Sequence, residues 1–434
     1  MIKVITYGTF DLLHQGHINL LKRAKALGDY LIVGVTTENF DVMRGKINVR
    51  QSLTERMEAV KNTGIADEVI PEEYVGQKID DIKRHGVDIF AIGSDWRGKF
   101  DYLGEFCEVV YLPRTKGISS SQLRSEANIK IGVVGSDPTI LKLKKHSESV
   151  NGLSIDCICK DGLNEEISKQ FKTICSDYGE LLKKNDAIYV AVQPERRYEH
   201  IRRALLAGKH VISESPIAMK ENEAAALFEI AEKNNLRIFD AIKTAYSLPF
   251  TRLILLIQSG LVGDVKNIDV TCTSLEMREW LDKTNYYSSF TGWGSIALLP
   301  IFKILGIDYK KLTFSTLSKN SFDDVCTRAN IEYESALATI TVGIGIKSEG
   351  DLRISGTRGY VYVPAPWWKS GYFEARFENA TQNKPYYYEN DGEGLRMELV
   401  QFVRSISSGE KNMYLDKKLS LAISKAMELF ASRR

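Results

Sequence analysis

Two short β-branched runs, each ending on a glycine, constrain this chain more than anything else in it. Lys3–Tyr7 (KVITY) runs into Gly8, and Lys130–Val134 (KIGVV) runs into Gly135. Each opens an alternation of apolar strands and amphipathic helices, which is the pattern of a parallel α/β sheet. In the first stretch strands are expected at Val4–Thr6, Leu31–Val35, Glu68–Ile70, Ile89–Ile92 and Glu108–Tyr111. A helix is expected at Ile18–Leu27, with Leu20, Leu21, Ala24 and Leu27 on one face. In the second stretch the strands fall near Ile131–Val134, Ser154–Cys159, Ala187–Val192, His210–Ser213 and Arg237–Asp240. The helix Tyr198–Ala207 is closed there by Gly208.

After about residue 262 the texture changes. Val265–Thr273 and Ser335–Ile346 alternate like strands with one exposed face, and Tyr360–Val363 follows, so a mostly antiparallel sheet is expected. Helices at Leu395–Ser407 and Lys418–Ala431 end the chain. No low-complexity linker or internal repeat is present; the first boundary is a short polar stretch near Glu126–Ile129.

With 434 residues there is room for two or three cores. The formal net charge of +2 provides no global field that would draw nucleic acid or membrane, and neither is expected as a partner. Six scattered cysteines form no CxxC pair and lie near no histidine, so no metal site is expected and reduced, mostly buried thiols are. The opening MIKVITYGTF lacks the apolar core of a signal peptide, and no apolar run approaches the ~20 residues of a membrane helix. A cytoplasmic location is therefore expected.

Gly8-Thr9-Phe10-Asp11-Leu12-Leu13-His14-Gln15-Gly16-His17 carries the chemistry. A strand ends at Gly8, where backbone can approach a ligand without a Cβ in the way. A helix then begins near His17, and the backbone N–H groups at such a start form an anion site. His14 and His17 are three residues apart, so on a helical turn both rings face the same way. Two imidazoles there can donate to a phosphate as its charge redistributes during nucleotidyl transfer. A second signal is Arg114-Thr115-Lys116-Gly117-Ile118-Ser119-Ser120-Ser121, another helix start with hydroxyl caps and a fixed positive charge. Arg114 can grip phosphate oxygens with its forked guanidinium and favour a departing pyrophosphate.

Together, GTFDLLHxGH and RTxGIS resemble the glycerol-3-phosphate cytidylyltransferases, of the nucleotidyltransferase superfamily with the HxGH signature. The similarity runs from Lys3 to about Arg124 and includes Gly28-Asp29-Tyr30, Asp67–Pro71, Gly93–Trp96 and Gly98–Asp101. The resemblance implies that His14 and His17 stabilise the pentavalent α-phosphate and that Gly8 and Thr9, with Phe10 and Asp11, line the triphosphate site. Lys46 or Arg44 would neutralise phosphate, and Arg56 would help to hold nucleotide or acceptor phosphate. Gly93 and Asp95 would line the nucleoside pocket, and Arg114, Thr115, Ile118 and Ser119 would hold the triphosphate. Mg²⁺ would enter with CTP, bridging phosphates rather than sitting in a protein cage. The reaction implied is in-line attack by the phosphate oxygen of a small polyol phosphate, most simply glycerol 3-phosphate, on the α-phosphorus of CTP. The product would be a soluble CDP-polyol, such as CDP-glycerol, of the kind that feeds an envelope polysaccharide. Departures at Gln15, Val75 and Asn62-Thr63-Gly64 leave the acceptor open to glycerol 2-phosphate or another short polyol phosphate.

From Lys130 onward the chain resembles the Gfo/Idh/MocA family of NAD(P)-dependent oxidoreductases, through Ile131–Gly135, Ala204–Val211, Glu214–Ala218, Ile257–Asp264 and Gly356–Gly359. The fold class implied is α/β: an N-terminal Rossmann-like nucleotidyltransferase domain (1–128), a Rossmann-type domain (129–247) and a C-terminal α+β sheet domain (248–434). Of the three fingerprint glycines only Gly135 is kept; Asp137 and Ile140 hold the next two positions, and the carboxylate of Asp137 should repel a diphosphate. The family's Glu-Lys-Pro reads Glu214-Ser215-Pro216, and its Asp-x-Gly-x-His-x-x-Asp reads Gly292 to Leu299, with Gly292, Ile296 and Leu299 unable to move a proton. NAD(P) is therefore not expected, although Lys243 could substitute for the missing lysine. This half is expected to be redox-inactive, serving as a platform for homo-oligomers through its sheet or as a ligand sensor. The alternative is a bifunctional enzyme whose second half reduces a keto precursor with NAD(P)H before cytidylyl transfer.

Overall fold

The computed structural model describes residues 1–434 except 38–48, 50, 75, 114–127, 161–164, 276–287, 319–323, 389, 408, 410, 411 and 434. The chain divides into two units, one of Met1–Asn128 with Ser149–Gly152 and the other of Ile129–Glu148 with Leu153–Arg434.

The first unit follows its sequence pattern closely. Its elements are β1 (Lys3–Gly8), α1 (Gln15–Lys25), β2 (Tyr30–Thr36), α2 (Leu53–Asn62), β3 (Glu68–Glu72), α3 (Gln77–His85), β4 (Ile89–Gly93) and β5 (Glu108–Leu112). The strands are all parallel, in the order β3-β2-β1-β4-β5. Successive residues of β1 and β2 point to opposite faces. Val4, Leu31 and Val33 therefore pack with Leu21, Ala24 and Val60 on one side, while Ile5, Tyr7 and Ile32 pack with Ile82 and Phe90 on the other. The α2 helix is fixed at its start by a capping box: the Ser52 hydroxyl accepts from the Glu55 N–H, and the Glu55 carboxylate accepts from the Ser52 N–H.

The chain's order in this sheet reverses between β1 and β4. From β1 it runs outward through β2 and β3, then returns to β4 and β5 on the other side. At such a reversal, the loops that follow β1 and β4 at the strands' carboxyl ends are where open α/β sheets bind ligands. His14 and His17 follow β1, and Gly93 and Asp95 follow β4.

The second unit opens with β6 (Ile129–Gly135), α4 (Thr139–Ser147), β7 (Leu153–Cys159), α5 (Glu165–Ser168), β8 (Thr173–Cys175), α6 (Tyr178–Lys184), β9 (Ala187–Ala191), α7 (Pro194–Leu206), β10 (His210–Glu214), α8 (Glu221–Lys233) and β11 (Ile238–Ala241). They form a parallel sheet in the order β11-β10-β9-β6-β7-β8. β8, a three-residue edge strand, is too short to register in the sequence pattern. The α7 helix starts at Pro194 rather than Tyr198, because proline is preorganised for the first helical position.

The unit continues with α9 (Leu248–Gln258), β12 (Val265–Ser274), α10 (Ser289–Leu305), β13 (Lys311–Ser318), β14 (Asp324–Glu332), β15 (Leu337–Ile344), β16 (Leu352–Gly356), β17 (Tyr360–Val363), β18 (Tyr372–Arg376), β19 (Lys384–Tyr387), α11 (Leu395–Ser407) and α12 (Lys417–Ser432). The eight strands lie in the order β13-β14-β15-β12-β16-β17-β18-β19. The sheet is mixed: β12 and β15 run parallel, and the other pairs are antiparallel. Among the described residues no helix is long and apolar enough to cross a membrane.

Gly34 shows how tightly the first unit is packed. A Cβ there would lie 2.2 Å from the ring of Tyr7, which is itself held by donating to Asp81 at 2.8 Å. Gly34→Ala should therefore cost about 1–3 kcal/mol through overpacking. Gly104→Ala, where a Cβ meets nothing within 4 Å, should be close to neutral. Thermal unfolding of the two variants checks this: the first should melt several degrees lower and the second near the wild type.

Candidate active site

The loop from Gly8 to His14 is built around an arginine. Arg56, fully buried on α2, donates from Nη1 to the carbonyls of Thr9 (2.8 Å) and Thr36 (2.7 Å), and from Nε to Gln51 O (3.0 Å). It thereby ties the exits of β1 and β2 to the start of α2. Gln51 completes the lock: its N–H donates to Asp11 Oδ1 (3.1 Å), and its side-chain oxygen accepts from Leu12 N–H (2.7 Å). Thr9, Phe10 and Asp11 are buried as a result. Phe10 and Leu12 are held at φ of 53° and 47°, the left-handed region that bulky side chains rarely adopt.

This strained turn delivers the two histidines. The α1 helix begins at Gln15, three residues before the sequence pattern placed it, so His14 is its N-cap and His17 lies in its first turn. His14 Nδ1 accepts from Gly16 N–H at 3.0 Å, which places the neutral ring's proton on Nε2, across the ring from the cap. The rings of His14 and His17 stack with centroids 3.9 Å apart and planes 20° apart, and Phe10 meets His17 edge-on at 5.4 Å. Both rings are half-buried. The first-turn amides of α1 and two imidazole edges thus share one end of one helix, an arrangement that suits the oxygens of a phosphate.

The other sequence-derived residues fall into three groups. Gly8 ends β1 beneath the Phe10 ring, and Gly93 ends β4 with Asp95 exposed in the short helical turn Ser94–Trp96 that follows. Asp11 and Arg56 direct their side-chain groups at backbone atoms of the loop itself. Lys46, Arg44, Arg114, Thr115, Ile118 and Ser119 lie outside the described residues.

Sequence reasoning missed two features. Gln51 stands directly before the Ser52–Glu55 capping box, and that S-x-x-E spacing was the available signal. A buried polar network of Tyr7, Glu72, Gln77, Lys78 and Asp81 lies on the Ile5 face of the sheet. In it Gln77 Nε2 donates to Asp81 at 3.0 Å, Lys78 bonds Glu72, and burial with the Asp81 charge pushes the Tyr7 phenol well up. Tyr7 lies 74 positions from Asp81, and the other four alone look like an ordinary polar helix and its approach.

The second unit contains a cavity of about 830 Å³ between its parallel sheet and its mixed sheet. Ser215, Gly292, Ile296 and Lys243 line it, while Leu299 is buried in the core. Tyr189 donates to Glu214 Oε1 there. Burial, reinforced by the charge of Asp137, pushes the Glu214 carboxyl up to about 7, and burial drives Glu398 well above the carboxylate range. No disulfide joins the six cysteines, and among the described residues no group of three metal-ligating side chains occurs.

Residues 5–126 match the family model described as cytidylyltransferase-like, and residues 129–241 match the oxidoreductase family with an NAD-binding Rossmann fold. The glycerol-3-phosphate cytidylyltransferase of Bacillus spizizenii is 53% identical over 126 residues, which are 29% of this chain and 97% of that protein. The glycerol-3-phosphate cytidylyltransferase of Staphylococcus aureus is 47% identical over 126 residues, 29% of this chain and 95% of that protein. Among solved structures, KijD10, a 3-ketoreductase from Actinomadura kijaniata, superposes with a TM-score of 0.59 at 16% identity, covering 69% of this chain and 96% of that one. At that identity the likeness establishes the fold alone.

The raised Glu214 pKa has a consequence for stability. Glu214 keeps its proton in the folded chain up to about pH 7 but loses it near 4.5 when unfolded, so the folded state binds more protons between those values. Its stabilising contribution is present below about pH 4.5 and is lost as pH rises toward 7. Denaturant unfolding from pH 4.5 to 8 should show wild type losing stability relative to Glu214→Gln across that window. A pH-independent difference between the two proteins would contradict it.

Proposed function

The chain belongs, through its first unit, to the glycerol-3-phosphate cytidylyltransferase family, and from that premise we propose that this unit joins CTP to a small polyol phosphate, glycerol 3-phosphate first, and releases pyrophosphate. The observation that carries the reading is the stacked His14–His17 pair on the opening turn of α1, at the point where the sheet's strand order reverses.

The acceptor's phosphate oxygen attacks the α-phosphorus of CTP in line with the departing pyrophosphate. That nucleophile is already an anion, so a strong general base is not required, and positioning with charge neutralisation supplies most of the acceleration. His14 Nε2 and the His17 ring donate to the α-phosphate oxygens as negative charge builds on them. Gly8 and Thr9 bring backbone close to the triphosphate, Arg56 and Asp11 keep that backbone in place, and Gly93 and Asp95 border the nucleoside side. Lys46 or Arg44, and Arg114 with Thr115, Ile118 and Ser119, complete the phosphate contacts in this reading. The donors of the described site are imidazoles and amides, which suit phosphate oxygens rather than a bare hard cation. Mg²⁺ entering with CTP would supply charge neutralisation, and no side chain of the described site is assigned to hold it.

In the second unit we read a binding fold without hydride transfer. Two features of the start of α4 support a reading without a dinucleotide diphosphate: Asp137 Oδ1 accepts from Thr139 N–H at 2.8 Å, and Ile140 is fully buried. The surviving Gly135 is required by the fold itself, since its φ is 122° and a Cβ there would lie 2.0 Å from Ala191 O. Ser215, Gly292 and Ile296 carry no group that takes a hydroxyl proton readily, so reduction of a keto precursor is not part of the proposal. We place self-association on the mixed sheet, where Leu317, Leu337, Tyr360 and Tyr387 are exposed.

A pyrophosphate-release screen of the four nucleotides against glycerol 3-phosphate, glycerol 2-phosphate, ribitol 5-phosphate and phosphocholine tests the reading. Turnover should require CTP and Mg²⁺ and favour glycerol 3-phosphate. His14→Ala and His17→Ala should each lower kcat by about 10²-fold or more; His17→Ala should melt near the wild type, while His14→Ala, which also loses the cap of α1, should melt a few degrees lower. Full turnover in the double variant would sink the proposal.

A further inference from the structure

The cavity of the second unit holds a charge arrangement that neither its fold nor the transferase reaction accounts for. Three lysines from separate elements converge on one carboxylate. Lys142 of α4 lies 3.3 Å from Glu393, Lys369 lies 3.6 Å from it, and Lys243, just after β11, bonds it directly. Lys142, Lys243 and Lys369 all line the cavity. Three ammonium groups around one carboxylate leave a surplus of positive charge in a site partly withdrawn from water. Burial, with Lys243 and Lys369 nearby, accordingly lowers the Lys142 pKa. Burial opposes the charged form of Glu393 too, yet the hydrogen bond and charge of Lys243, with Lys142 and Lys369, hold its carboxyl down at about 2.

Glu393 reaches this position on a strained turn. Gly392, Glu393 and Gly394 have φ of 76°, 55° and 92°, three consecutive left-handed residues of which only the glycines adopt that conformation at ease. Gly394 presses on Lys243, whose carbonyl would lie 2.0 Å from a Cβ at that position. The chain thus holds a non-glycine residue in an unfavourable conformation to present one carboxylate to three lysines. The same cavity holds buried carboxyls that are under-used. Glu398 is 1% exposed, and its Oε1 has no hydrogen-bond partner among the described residues; neither has Trp293 Nε1. Both residues line the same cavity, together with the Tyr189–Glu214 pair. An unmet donor, an unmet acceptor and a protonatable pair suit the hydroxyl groups of a polyhydroxy compound.

We propose that Lys142, Lys243 and Lys369 form the anion subsite of this cavity, that Glu393 is its internal occupant, and that a small polyol phosphate binds there by displacing the Glu393 carboxylate. The doubly charged phosphate matches the surplus on the lysines better than a single carboxylate does. The hydroxyls then meet Glu398, Glu214 and Trp293, and release of Glu393 relaxes the turn. The site is a ligand sensor that needs neither hydride transfer nor the transferase reaction.

The test is calorimetric titration of the full chain with glycerol 3-phosphate and, separately, with inorganic phosphate, in the absence of nucleotide. Glu393→Gln removes the competing charge and should tighten glycerol 3-phosphate binding roughly tenfold. Adding Lys243→Met to that variant should abolish the gain, and cytidylyl transfer by the first unit should be unchanged in both. Inorganic phosphate should bind more weakly but follow the same order among variants. As a second readout, glycerol 3-phosphate should raise the melting temperature of Glu393→Gln more than that of the wild type. Equal affinity in wild type and Glu393→Gln would overturn the proposal. Inorganic phosphate binding as tightly as glycerol 3-phosphate would overturn the polyol assignment.

Discussion

A single buried guanidinium holds the first unit's site together. Arg56 is fully buried and places its donors on carbonyls at the ends of β1 and β2 and on Gln51, before α2. Hydrogen bonds from a charged donor contribute about 1.5–3 kcal/mol each, and here they fix a loop that would otherwise relax away from left-handed backbone at Phe10 and Leu12. From that fixed loop the rest follows. His14 caps α1 through Gly16, His17 stacks on it one turn later, and Phe10 sets the edge of the pair. The imidazoles are positioned before any phosphate arrives, so little reorganisation remains for the reaction itself.

The two units use one architecture in opposite ways. Each begins with a β-branched strand ending on glycine and winds a parallel sheet. In the first, glycine at the strand end opens backbone to a ligand, and the loop that follows carries paired polar rings. In the second, Gly135 is used up in packing against Ala191, and Asp137 occupies the first amides of the next helix. Its chemistry-bearing groups gather instead in the cavity between the sheets, where lysines face buried carboxyls.

Much of this was legible in the chain. The strands of the first unit were visible because short apolar runs, buried on both faces and bounded by glycine, leave a local imprint, and the His14–His17 spacing forced a common direction on a helical turn. The stacking of those rings and the left-handed loop before them were not, since neither leaves a trace in residue type at Phe10 or Leu12. Arg56 read as a phosphate ligand because a lone arginine carries no signal of burial; its backbone partners depend on how three elements meet. Three of the mixed sheet's eight strands were read from the sequence; β16, β18 and β19 have only four or five residues in which to alternate, whereas β13 and β14, at eight and nine, were long enough to find and were missed. Glu393 was invisible for the same reason as the Tyr7–Asp81 network: its lysine partners lie as far away in sequence as residue 142.

The central claim is that His14 and His17 contact the nucleotide's phosphates. The chain has six histidines, few enough for each imidazole to be followed by nitrogen-15 NMR in histidine-labelled protein. Saturating CTP with Mg²⁺ should shift the ring resonances of His14 and His17 and leave those of His146, His200 and His210 in place. Saturable CTP binding that moves neither of the paired rings would contradict the account.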